Sequence, residues 1–116
     1  MEFYKYKSSK QIVIATETIE NEEFTKLKAN TVDAALEKHM PVYEKIENDI
    51  LVKVGDVEHP MTKEHHIMWI AQVYKNQINL VKLNPNDKPQ AKFAYIKGSE
   101  IYAYCNLHGL WKTTIE

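Results

Sequence analysis

Hydrophobic and polar positions alternate with a period of two along most of the chain, the repeat of half-buried β-strands. Segments 3–7 and 11–15 read as strands joined by the polar turn Ser8-Ser9-Lys10, and 42–46 and 50–54 as a second hairpin turning at Glu47-Asn48-Asp49. A longer strand is expected over 65–74, followed at Asn76-Gln77 by a turn into 78–83. Two prolines make 84–89 a loop, after which 91–96 and 101–104 flank the turn Lys97-Gly98-Ser99. Strand alternation sets His65, Ile67 and Trp69 on one face and His66, Met68 and Ile70 on the other, so a regular strand cannot aim both histidines at one site. Only 31–37, rich in alanine with Thr31 as N-cap, predicts a helical turn or two, ending before Pro41. The charged run 20–28 is expected to be exposed. Short strands at even spacing with little helix predict an all-β, antiparallel β-sandwich.

Composition narrows the function classes. Fifteen basic and 16 acidic residues are interspersed, for a net charge of −1, and no basic stripe suggests nucleic acid as a partner. No apolar run approaches the ~20 residues of a membrane span, and the start lacks the basic and apolar regions of a signal peptide. A soluble cytoplasmic protein is expected. One cysteine excludes an internal disulfide. Such a residue is ordinarily a small packed hydrophobe, and other histidines decide whether it is more.

Cys105 lies three residues before His108, at the end of the 101–104 strand, and Gly109 is free to take the positive φ that would turn both side chains onto one metal ion. His39, His59 and His65 lie in stretches that folding could bring to the same point. Four imidazoles and a thiolate exceed the four ligands of a structural zinc site. They suit a five-coordinate iron with one vacancy for a substrate.

The segments Glu37-Lys38-His39-Met40-Pro41, His59-Pro60-Met61, Glu64-His65, Trp69-Ile70 and Cys105-Asn106-Leu107-His108-Gly109 resemble, in order and spacing, the superoxide reductase family of desulfoferrodoxins and neelaredoxins. The resemblance runs from about residue 30 to 112. It implies an immunoglobulin-like, seven-stranded sandwich over residues 36–116. It also implies one mononuclear iron, with His39, His59, His65 and His108 equatorial and Cys105 axial, and selects His65 over His66. His66 is then a packing residue. The implied reaction joins superoxide, one electron and two protons into hydrogen peroxide, with the electron brought by rubredoxin or a similar donor. Lys38 matches the lysine that attracts superoxide and orders a proton-delivering water. Glu37 matches the glutamate that binds the metal in the ferric state only, and both are expected on a short mobile loop.

Longer members of that family carry a rubredoxin-like iron module before the sandwich. Here Tyr6 and Ser9 stand at its first cysteine pair and Ile19 and Glu20 at its second, so residues 1–35 read as a metal-free remnant of that desulforedoxin-like segment. The hairpin it contains is expected to dock on the sandwich or on a second chain, and a homodimer is the expected assembly. Two other readings share the site: a non-catalytic iron-binding or redox-sensing sandwich, and an iron superoxide dismutase.

Overall fold

The computed structural model describes all 116 residues, and the period-two segments supply most of its strands. In order these are β1 (Glu2–Tyr6), β2 (Ile12–Ala15), β3 (Phe24–Lys26), a single helical turn α1 (Leu36–His39), β4 (Pro41–Ile46), β5 (Asp49–Val54), β6 (Ile67–Tyr74), β7 (Gln77–Lys82), β8 (Gln90–Ala94), β9 (Glu100–Cys105) and β10 (Gly109–Thr114). All pairings are antiparallel. The sheet β10-β9-β6-β7 faces the sheet β4-β5-β8, giving the seven strands of the expected sandwich, and β2-β1-β3 forms a separate third sheet.

The inner core is filled by alternate residues of both sheets: Ile50, Val52 and Val54 from β5, Phe93 from β8, and Ile101, Ala103 and Cys105 from β9. Cys105 is therefore the last inward position of a core strand. Tyr102 and Tyr104 point the other way, onto the sheet's outer face. That face is covered by the N-terminal sheet, whose Phe3 joins Trp69, Ala71, Val73, Tyr104 and Leu110 in a second buried cluster. Phe3 is 3% exposed and its ring lies 5.6 Å from Trp69 and 4.5 Å from Tyr102. Burying such a side chain contributes about 1.5–3 kcal/mol, with about 0.5–1.5 more for each aromatic pair, which is what a hairpin that is marginal alone requires.

Two local expectations are corrected and one is refined. The charged run is largely exposed, as expected, and within it β3 forms because Phe24 packs on Tyr6 at 5.1 Å and on Tyr4 at 6.5 Å while pairing with β1. Thr31 caps no helix: its hydroxyl donates to the Lys28 carbonyl, and the one turn that forms starts five residues later, behind Ala35. Residues 109–114 form a strand that alternation hides, since one face of β10 meets the N-terminal layer through Leu110 and the other turns Trp111 inward. Asn30 fixes where the arm joins the sandwich. Its backbone N–H donates to the Leu110 carbonyl, its side-chain Nδ2 donates to the Lys112 carbonyl, and its Oδ1 accepts from the Lys112 N–H.

The N-terminal sheet carries its own acid sensitivity. Glu2 accepts from the Tyr4 hydroxyl at 2.7 Å and from Lys26 Nζ at 2.9 Å, and these bonds, the Tyr4 one foremost, lower its carboxyl from 4.5 to about 2. Since the folded value is depressed, the stabilisation is complete above pH 4.5 and is lost as pH falls towards 2. Amide exchange of β1 and β3 should accelerate over that window relative to Glu2→Gln, whose profile lacks the step. Parallel profiles for the two proteins would show that the bond does not hold the sheet.

Candidate metal centre

Five side chains of metal-ligand type meet at one end of the sandwich. His39 ends α1, His59 and His65 lie in the connection from β5 to β6, Cys105 ends β9, and His108 sits in the turn before β10. Ligand atoms of His39, His59, His65 and Cys105 all lie within 4.8 Å of one another. His108 joins through Nδ1, which is 3.0 Å from His39 Nε2 and 3.9 Å from Cys105 Sγ. His39, His59 and Cys105 are buried, while His65 and His108 are partly open. The turn that brings Cys105 and His108 together places Gly109 at φ +81°, as the sequence suggested.

Which nitrogen each ring offers is set by the bond its other nitrogen makes. His39 Nδ1 lies 2.7 Å from the Ala35 carbonyl and His59 Nδ1 2.7 Å from the Pro60 carbonyl, so both rings carry that proton and present Nε2 inward. The Nε2 atoms of His59 and His65 are buried without any hydrogen-bond partner. An orphaned buried acceptor costs on the order of 1–3 kcal/mol, and two of them facing a thiol are satisfied together by a shared cation.

Burial also decides protonation. It pushes His39 and His65 below their ordinary value and His59 down to about 4, so these imidazoles are neutral at pH 7 and available as donors. Burial pushes the Cys105 thiol up, and the backbone N–H groups of Leu107 and His108 at the sulfur pull the other way. A cation beside it would complete the shift to thiolate, as coordinating metals do.

The strand face expected for His65 is corrected. A bulge between Ile67 and Trp69 interrupts the pairing with β9 and sends these two side chains to opposite faces, Ile67 into the inner core and Trp69 onto the outer one. His65 precedes β6 and is held instead by Thr62, whose hydroxyl accepts from the His65 N–H and whose own N–H donates to the His65 carbonyl. His66 is half-buried, with its Nδ1 buried and unpaired. Glu37 and Lys38 are exposed on α1, directly before His39, rather than on the loop expected. The Glu37 carbonyl accepts from the Val57 N–H at 2.8 Å, which ties that turn to the end of β5.

Trp111 was not among the candidates. Its ring stacks on His39 at 5.0 Å, and its indole N–H donates to the His108 carbonyl, so one side chain braces two of the five. Its place two residues beyond Gly109, on a strand that alternation did not reveal, was the only available signal.

Residues 31–114 match the family model described as desulfoferrodoxin. The chain is 50% identical over 98 residues to a desulfoferrodoxin of Clostridium acetobutylicum, covering 84% of this chain and 78% of that protein. It is 33% identical over 100 residues to a superoxide reductase of Pyrococcus abyssi, covering 69% and 87%. Among solved structures, the superoxide reductase of Treponema pallidum superposes with a TM-score of 0.73 at 33% identity over 96% of this chain and 98% of that one. The matched span takes in α1, both sheets of the sandwich and all five converging side chains, and the chain belongs to the desulfoferrodoxin family.

Proposed function

We propose that this protein is a superoxide reductase, which joins superoxide with one electron and two protons to give hydrogen peroxide. The observation that carries the reading is the cluster of His39, His59, His65 and Cys105, whose ligand atoms lie within 4.8 Å of one another with His108 Nδ1 at 3.0 Å from His39 Nε2 and 3.9 Å from the sulfur, the Nε2 atoms of His59 and His65 having no other partner. Five donors of this kind suit one iron per chain, held by His39, His59, His65, His108 and Cys105. Iron held there would supply the one-electron couple that the reduction of a small anion needs. Residues 1–35 then form a structural arm without a metal of its own, since they contain no cysteine.

The remaining work falls to this chain's own groups. The Ala35 and Pro60 carbonyls hold the His39 and His59 rings in the tautomer that offers Nε2. The Leu107 and His108 N–H groups temper the charge of the Cys105 sulfur. Lys38, exposed beside His39, supplies the positive field that draws an anion, and its ammonium orders the water that delivers protons to the product. Glu37, an exposed carboxylate two residues before His39, would be the hard donor available to the iron in its oxidised state. The electron comes from a separate donor, rubredoxin or a similar small redox protein, and the proposed assembly is a homodimer.

Pulse radiolysis of the reduced, iron-loaded protein tests the reading. One hydrogen peroxide should form per superoxide consumed, with no oxygen evolved; oxygen evolution without a reductant would assign a dismutase instead. Lys38→Ala should keep its iron and react more slowly with superoxide, on the order of tenfold, and salt should slow the wild type towards the same rate. Equal rates for the two proteins at low salt would remove Lys38 from the mechanism.

A further inference from the structure

We infer that Asn106 is a positioning residue that sets the distance between two halves of the metal centre, the His65 segment and the Cys105–His108 turn. The inference rests on the metal-site reading above and concerns a residue outside the donor set.

The ladder between β6 and β9 ends at the pair Ile67 and Cys105. One residue further on, the chain must leave the ladder in a tight turn so that His108 comes back towards Cys105. Asn106 nevertheless keeps the pairing going. Its backbone N–H donates to the His66 carbonyl at 3.2 Å, and its side-chain Oδ1 accepts from the His66 N–H at 3.0 Å. The amide oxygen thus stands where a strand carbonyl would, while the real carbonyl turns away with the chain. Its Nδ2 also donates to the Glu64 carbonyl at 2.8 Å. The residues on both sides of His65 are therefore tied to the residue that follows Cys105, by three bonds from one asparagine.

Neither alanine nor aspartate makes all three bonds from this place. Alanine loses both side-chain bonds and leaves the His66 N–H, on a half-buried residue, without its partner. Aspartate keeps the acceptor for His66 but has no proton for the Glu64 carbonyl, and it sets a negative charge beside Cys105. Because bonds within the turn do not replace these, the His65 ring and the Cys105–His108 pair are expected to drift apart when the amide is lost. Partners behind metal ligands typically change metal affinity by about 10–100-fold.

The test compares wild type, Asn106→Ala and Asn106→Asp by competition for ferrous iron against a chelator, by the thiolate-to-iron absorption band of the oxidised proteins, and by circular dichroism of the metal-free forms. Affinity should fall in the order Asn, Asp, Ala, the alanine variant by about 10–100-fold, with a shifted band and an unchanged β-sheet spectrum. Wild-type affinity and band position in the alanine variant would overturn the inference. If alanine prevents folding, the aspartate variant decides, and wild-type affinity there would overturn it equally. Failure of the wild type itself to bind iron would refute the metal-site reading and not this residue's role within it.

Discussion

Cys105→Ser is expected to abolish the sulfur-to-iron absorption of the oxidised protein and to cut superoxide reduction by more than the 10–100-fold typical of residues merely behind a ligand. Serine is a harder and poorer donor, and its hydroxyl stays protonated where a thiolate would bind. The position adds a second penalty. Cys105 is fully buried in the inner core among Ile67, Ile101 and Ala103, and a hydroxyl there without a metal costs roughly 1–3 kcal/mol. Cys105→Ala separates the two effects, since it removes the sulfur without burying a new polar group. Both variants should lose the absorption, and only serine should carry the full loss of stability in the metal-free form. An oxidised serine variant with the wild-type visible spectrum would remove Cys105 from the donor set.

The sandwich was legible because its strands have one face in the core and one in a more mixed environment. The Ile101-Tyr102-Ala103-Tyr104 run alternates in sequence as it does in space, and the two-residue turn before β5 tolerates Glu47 at φ +59°. What was illegible has a common cause. The start of β6 and the Leu110-Trp111 pair of β10 are covered on both faces, one by the inner core or the metal centre and the other by the N-terminal sheet, so apolar residues follow one another there and the period disappears. The bulge after Ile67 cannot be seen in a pattern that counts every residue equally, and it reverses the face deduced for Trp69. The five converging side chains were found through their resemblance to a family. Spacing within the chain gave only Cys105 and His108, because His39 and His59 meet through the packing of α1 against the end of β5 and His65 arrives through its ties to Thr62 and Asn106. Trp111, Thr62 and Asn106, which brace the converging side chains, leave no mark of this kind.

That packing of α1 is the basis of the second large effect, expected for Gly55→Ala. Gly55 is buried just past β5, and a methyl group built on it would lie 2.7 Å from the Glu37 carbonyl oxygen, 2.9 Å from that of Met40 and 3.0 Å from the Lys38 carbonyl carbon. All three are backbone atoms, so no side chain can swing aside. Either α1 lifts or the β5 end retreats, and the Val57 N–H bond to Glu37 that joins them is lost. The two moving parts are those that carry His39 and lead into His59, whose rings now sit 4.7 Å apart. Overpacking of this kind costs about 1–3 kcal/mol in the metal-free protein. A comparable loss is available elsewhere in the same core: Ile50→Val, on β5 but facing the opposite sheet, costs about 0.5–1.5 kcal/mol. If α1 acts only as packing, iron affinity should be unaffected by either change. If its seat on Gly55 sets the gap between His39 and His59, the Ile50 variant should bind iron as the wild type does while the Gly55 variant loses it or shows an altered spectrum. Chelator competition on the two variants, read beside their thermal unfolding without metal, separates the cases, and wild-type affinity in a folded Gly55→Ala protein would show that the seat of α1 does not govern the centre.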